Sequence, residues 1–261
     1  MLAIAMWKYK QVASAKALLL NIESCLYYAM TTFSHVTHVI FDLDGLILDS
    51  EKVYKAKYEE LLARYGKTLS DELRLSCLGR KDVDCARAII EATNIPLTTA
   101  QWLTEVKKLQ IEGMINTTLM PGVERLVRHL SHYGVPLAVA TSSSQESVEL
   151  KISKHKKFMS LFHHIVMAGS DPEVKHGKPS PDVFLVCAAR FPDKPSPEKC
   201  LVLEDAHNGV QAAIAAGMQV VMVPDSSVPT ELTKEATIVL KSLKDFCPEM
   251  FGLPKFSNNS K

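Results

Sequence analysis

The chain has no CxxC pair; its six cysteines, Cys25, Cys77, Cys85, Cys187, Cys200 and Cys247, are scattered. That argues against a zinc site or a disulfide framework and fits a reducing compartment such as the cytoplasm. None of the nine histidines has a metal-site spacing such as HExxH. No charge of one sign dominates, with 30 Lys and Arg against 29 Asp and Glu. Bulk electrostatics therefore gives no support for binding a nucleic-acid polymer or a membrane surface. Internal repeats and low-complexity tracts are missing too. What remains is 261 residues, 47% hydrophobic and 23% charged, ordinary for a globular enzyme of one large domain with a substantial insert.

Residues 1–34 stand apart. They carry Lys8, Lys10 and Lys16 against the single acid Glu23, and their longest apolar run, near "AKALLLNI", is too short to span a bilayer. A mitochondrial presequence is one reading, weakened by the lack of arginine and the few serines. An amphipathic appendage is another. The reading favoured is a dispensable extension, because Met30 begins a natural-looking start just before the first strand. Without residues 1–34 the body has 27 basic residues (30 less 3) against 28 acidic (29 less 1), so it is close to neutral.

The body alternates. "THVIFD" at Thr37–Asp42 reads as a buried strand, and a helical pattern runs from Ser50 to Gly66. Three further helical patterns follow without a strand between them, one with Val83, Ala86, Ile89 and Ile90 at helical spacing. Alternation resumes after "LMPG", with strands "VPLAVAT", "HIVMAG", "KCLVLED" and "QVVMVP" separated by helices. That pattern predicts right-handed βαβ units and a parallel sheet. The expected fold class is α/β, a Rossmann-like parallel sheet with helices on both faces and an inserted all-helical cap. Core segments are expected at 36–49 and 119–252, the cap at 50–118 and a tail at 253–261. Ligands in such sheets bind at the carboxyl ends of the strands, so a lid leaving from that edge would cover the site.

Those strand ends carry polar groups. Asp42 and Asp44 lie two apart and so share a side of the chain, where two carboxylates repel unless something positive sits between them. Gly45 follows at once, as if the backbone must turn sharply or approach a ligand. Thr141 leads into Ser142, Ser143 and Ser144; Glu204–Asp205 ends another strand; Lys178 precedes a helix whose first turn holds Pro181 and Asp182. Hard carboxylate oxygens suit Mg²⁺. A carboxylate can attack phosphorus, a lysine and hydroxyls can stabilise the transferring group, and a second carboxylate, arriving protonated, can serve the leaving oxygen and later water.

Taken singly, each feature has a plainer explanation. A lone DxD is more often a turn, Thr141 a strand-end residue bonded to backbone, Lys178 a solvated surface lysine, and Glu204–Asp205 a helix cap. All four in order, each at a strand end or helix start, point to phosphoryl transfer.

The stretches "FDLDG", "ATSSS", "GKPSPDVF" and "LEDAHNGVQAAIAAGM" resemble, in order and spacing, the four motifs of the haloacid dehalogenase-like hydrolases. The likeness runs from Val36 to about Leu253. It implies a Mg²⁺-dependent phosphatase acting on a small phosphorylated substrate, with a helical cap after the first motif. On the matching positions Asp42 would be the nucleophile and Asp44 the acid/base. Thr141, helped by Ser142 and Ser143, would hold the phosphoryl group, and Lys178 would stabilise nucleophile and phosphate. Asp205 would ligate Mg²⁺ with Asp42 and the Asp44 backbone carbonyl, supported by Glu204. "LMPGVERLVRHL" and "LFHHIVMAGSDPEVKHGKP" narrow the likeness to members acting on a nucleoside 5′-phosphate.

In the cap, Arg80 and Lys81 of "CLGRKD" could reach the substrate or form a solvated basic turn. The run "KISKHKKF", with Lys151, Lys154, His155, Lys156 and Lys157, could bind anions, but a solvated helix face is the expected reading. Trp102 is expected to pack within the cap, and His176, beside the lysine loop, is the one histidine to watch. A phosphosugar mutase on the same scaffold is the first alternative, lowered because Asp49–Tyr54 offers no obvious extra base. A dehalogenase would not need Asp44. A silent binding protein is the minor alternative, and a monomer the default.

Overall fold

The computed structural model describes residues 33–257. The extension 1–34, with its lysines, Cys25 and the Met30 start, lies outside the described residues except for Phe33 and Ser34, as does the end of the tail from residue 258. Phe33 stacks on Phe251 at 4.8 Å, and the Ser34 backbone exchanges hydrogen bonds with the Gln219 side chain.

In chain order the elements are β1 (His38–Phe41), α1 (Glu51–Ala63), α2 (Asp71–Cys77), α3 (Asp82–Thr93), α4 (Thr99–Ile115), α5 (Val123–His132), β2 (Leu137–Thr141), α6 (Gln145–Lys151), α7 (Lys156–Met159), β3 (His164–Met167), α8 (Asp182–Ala189), β4 (Cys200–Glu204), α9 (His207–Ala215), β5 (Gln219–Met222) and β6 (Ile238–Val239). The six strands form one sheet in the order β3-β2-β1-β4-β5-β6, every pair parallel. β6, two residues long, was not expected; a two-residue strand is too short to show a period.

β1, β2 and β4 are buried along their whole length, as their unbroken apolar runs require when helices cover both faces. Alternate side chains feed separate cores. Val39 and Phe41 point towards α5, α6 and α7, whereas Ile40 points towards α8 and α9. Helices α1–α4 bury a third cluster of their own around Tyr58, Leu62, Ile89 and Trp102. The capping box of Thr98 and Gln101 sets the start of α4. Trp102 is fully buried in this cluster, as expected, but Val83 is 40% exposed despite its helical spacing.

Two chain segments join the helical insert to the sheet, and they run side by side. Asp49 N donates to Thr118 O at 2.9 Å and Met120 N to Ile47 O at 2.9 Å. The insert thus hangs from one antiparallel pair beside the end of β1. Among the described residues no helix is long and apolar enough to cross a membrane.

Candidate active site

The chain visits β1, β2 and β3 on one side of the sheet, then returns to place β4 against the other edge of β1. The crevice between β1 and β4 is therefore a topological switch point, where the connections part and ligands find room. Asp42 follows β1 directly, and Glu204–Asp205 closes β4. One carboxylate oxygen from each of Asp42, Glu204 and Asp205 lies within 4.8 Å of the others, all three residues buried.

Lys178 reaches this group from the loop before α8. Its ammonium donates to Asp42 Oδ1 at 2.5 Å, Glu204 Oε1 at 2.6 Å and Ala140 O at 3.3 Å, so each of its three hydrogens has an acceptor. Glu204 also accepts from the Asp205 and Ala206 backbone N–H groups through Oε2, at 2.9 and 3.0 Å. Both its oxygens are thus held by the protein. Burial pushes the Asp42 carboxyl up to about 7 against the pull of Lys178. Burial, then Glu204 and Asp42, push Asp205 well above the carboxylate range. Three buried carboxylates with one ammonium leave an excess of two negative charges, which a divalent cation with oxygen preference balances. The backbone leaves space beside Asp205. Gly45 has φ +83°, and a Cβ there would lie 2.1 Å from Asp205 Oδ2. The donor set fits Mg²⁺.

Asp44 sits apart from that group, with a different cation. Its Oδ1 accepts from Ser50 Oγ at 2.6 Å and Lys151 Nζ at 2.7 Å. Its Oδ2 accepts from Ser143 Oγ at 2.9 Å and Thr141 Oγ1 at 3.4 Å. Burial pushes the carboxyl up, but Lys151 and the hydrogen bonds from Lys151, Ser50 and Ser143 outweigh it and hold Asp44 below its ordinary value. Those bonds favour the charged form of Asp44 in this arrangement. The repulsion expected between Asp42 and Asp44 is relieved because each has its own lysine.

Lys151 is the residue that the sequence reading missed. It is 0% exposed, lies 5.0 Å from the Tyr54 ring and donates also to Ser143 Oγ at 2.7 Å. The expected solvated face of "KISKHKKF" is corrected at this position: Lys151 follows Val148 by three, on the helix side facing the core. Its neighbours Lys154, Lys156 and Lys157 are exposed. Ser50 was missed as well. It begins α1 without capping it, because its hydroxyl is bonded to Asp44.

The serine loop divides its tasks. Ser143 N donates to Thr141 Oγ1 at 3.1 Å, while Ser142 Oγ donates to Gly79 O at 2.8 Å. Asn208 Nδ2 donates to Leu78 O at 2.7 Å, so the turn between α2 and α3 is tied to the core at two points. Arg80 and Lys81 stand in that turn. Arg80 lines a cavity of about 50 Å³ together with Asp42, Asp44, Glu51, Thr141 and Ser143. Lys81 lies across Gly177 and lines a neighbouring groove of about 600 Å³. His176 gives its backbone N–H to Asp182 at 2.9 Å.

The sequence matches the family model described as haloacid dehalogenase-like hydrolase over residues 39–223. It is 48% identical over 223 residues to a probable pseudouridine-5′-phosphatase of Drosophila melanogaster, covering 85% of this chain and 96% of that one. It is 45% identical over 227 residues to a mitochondrial (DL)-glycerol-3-phosphatase 1 of Arabidopsis thaliana, covering 86% of this chain and 76% of that one. Among solved structures, CbbY from Rhodobacter sphaeroides in complex with phosphate superposes with a TM-score of 0.67 at 24% identity, over 80% of this chain and 95% of that chain. Sheet order, carboxylate crevice and these matches together place the chain in the haloacid dehalogenase-like hydrolase family, among its phosphatases.

Proposed function

We propose that the chain hydrolyses pseudouridine 5′-phosphate to pseudouridine and phosphate, using Mg²⁺ and a covalent phosphoryl-Asp42 intermediate. The observation that carries the mechanism is Asp42 at the switch point, one oxygen bonded to Lys178 and the carboxylate facing the small cavity. An Asp42 oxygen attacks phosphorus and the ester oxygen leaves. A phosphate dianion beside Thr141 adds negative charge near Asp44, which favours its uptake of a proton from solvent, and Asp44 passes that proton to the leaving ester oxygen. Asp44 then takes a proton from the water that cleaves the phosphoryl-Asp42 bond. Lys178, the Thr141 hydroxyl and the loop N–H groups stabilise the transferring group. Asp42, Asp205 and the Asp44 backbone carbonyl would hold Mg²⁺, with Glu204 fixing Lys178 and the loop beside them. When bound, Mg²⁺ supplies positive charge against the phosphoryl oxygens and the carboxylates.

The substrate reading is supported by the 48% identity to the fly relative and by the space available. The cavity of about 50 Å³ suits a phosphoryl group, and the groove of about 600 Å³ shares Tyr54, Tyr58, Asp82 and Ser142 with it. A leaving group of nucleoside size fits there, with Lys81 at its edge and Arg80 on the small cavity beside it. The 45% identity to the plant enzyme favours a second reading, a glycerol phosphate. Cys77, Cys85, Cys187 and Cys200 are free thiols, which supports a cytoplasmic setting.

The test is Mg²⁺-dependent phosphate release from pseudouridine 5′-phosphate, uridine 5′-phosphate, glycerol phosphates and hexose phosphates. A preference of at least tenfold for the pseudouridine ester is expected. A preference for glycerol phosphate selects the second reading, and an isomeric phosphosugar with little free phosphate overturns both.

A further inference from the structure

We infer that Lys151 is a positioning residue for the reaction: it anchors one oxygen of Asp44 so that the other is presented to the phosphoryl site. The inference rests on the proposed role of Asp44 in proton exchange with the leaving group. Asp44 lies between the end of β1 and the Gly45 turn, and within its own segment its side chain is bonded by Ser50. Lys151 comes from a different layer, the last residue of α6. Its ammonium bonds Asp44 Oδ1 at 2.7 Å and Ser143 Oγ at 2.7 Å, with the Tyr54 side chain beside it. Ser143 in turn donates to Asp44 Oδ2 at 2.9 Å. The lysine thus holds the carboxylate on one side directly and on the other through a hydroxyl.

The partners of the two oxygens differ in kind. Oδ1 is held by a buried ammonium and by the residue that begins α1. Among the described residues Oδ2 meets the hydroxyls of Ser143 and Thr141, which can rotate towards a bound phosphate. A fully buried lysine is costly unless its charge is matched, and here the match is a residue of the reaction centre. Lys154, Lys156 and Lys157 in the same run are exposed, whereas Lys151 is packed at 0% exposure beside the Tyr54 ring, which fixes its geometry.

The experiment compares kcat/KM for an alkyl ester, pseudouridine 5′-phosphate, with that for p-nitrophenyl phosphate, whose leaving oxygen needs no proton. Wild type, Lys151→Met, Lys151→Arg, Asp44→Asn and the double variant Asp44→Asn/Lys151→Met are measured with Mg²⁺. Lys151→Met is expected to lose on the order of 10- to 100-fold on the alkyl ester, less than removal of a general acid–base group itself, and several-fold less on the aryl ester. Lys151→Arg is expected to recover part of the alkyl activity. In the Asp44→Asn background, Lys151→Met is expected to change neither ratio, because its partner is already gone. The double variant also removes both buried charges together, so it keeps the test open if Lys151→Met alone fails to fold. Equal losses on the two esters, or a full Lys151→Met effect in the Asp44→Asn background, would overturn the inference. If Asp44→Asn itself shows no difference between the esters, the proton role of Asp44 falls, and the inference with it.

Discussion

Glu204 occupies the space that any side chain at Gly209 would need: a Cβ there would stand 1.8 Å from Glu204 Oε1 and 2.5 Å from Oε2. Gly209 lies in the first turns of α9, where glycine costs about 1 kcal/mol against alanine, so its presence reflects this close approach. Gly209→Ala is expected to displace the Glu204 carboxylate from Lys178. Loss of a buried charged hydrogen bond together with overpacking predicts destabilisation of about 3 kcal/mol or more, with phosphate release falling at least tenfold. Urea unfolding beside an activity assay checks it.

Much of this was legible beforehand because phosphoryl chemistry sits where strands end. Asp42, Thr141 and Glu204 are each the last or next residue of a parallel strand, and apolar runs mark those strands plainly. Lys151 was not legible. A lysine in a run of five basic residues reads as solvent-facing until tertiary contacts bring Asp44 against it, and a short helix gives too few turns to fix which side faces inward. β6 was hidden for a related reason, as its pairing with β5 is decided by the neighbouring strand and not by its own two residues.

Gly45 and Asp205 lead to a statement about the metal. Adding Mg²⁺ at about 100 times its dissociation constant is expected to stabilise the fold by about 2.7 kcal/mol, read as a rise in melting temperature. Gly45→Ala brings a methyl to 2.1 Å from Asp205 Oδ2 at φ +83° and is expected to abolish most of that rise. An equal Mg²⁺-dependent rise in the variant would contradict the placement.

The turn at Leu78–Gly79 is tied to the core by Asn208 and Ser142. Each bond is worth about 1 kcal/mol net. Ser142→Ala and Asn208→Ala are therefore expected to raise KM about fivefold each and to increase proteolysis between α2 and α3. Unchanged KM and digestion in both would show that the turn is held by other contacts.

Asp171 and Arg190 give a pH dependence away from the reaction centre. Arg190 donates to both Asp171 oxygens, at 2.5 and 2.9 Å, and that hydrogen bonding holds the Asp171 carboxyl below its ordinary value of 3.8. A depressed carboxyl binds fewer protons folded than unfolded, so its stabilisation is full above the ordinary value and is lost as pH falls through the folded one. Asp171→Asn is expected to cost about 1 kcal/mol at pH 7 and progressively less as pH falls below the ordinary value. Melting curves at pH 7 and below the ordinary value check the sign.

The central claim is that the phosphoryl group passes through Asp42. The direct measurement is rapid quenching during turnover with Mg²⁺, borohydride reduction of any acyl phosphate, and mass spectrometry of the peptides containing residues 42, 44 and 205. Homoserine at position 42, dependent on substrate and absent from Asp42→Asn, is the predicted result. Phosphate release without any such modification, or with homoserine at position 44 or 205 instead, would contradict the account.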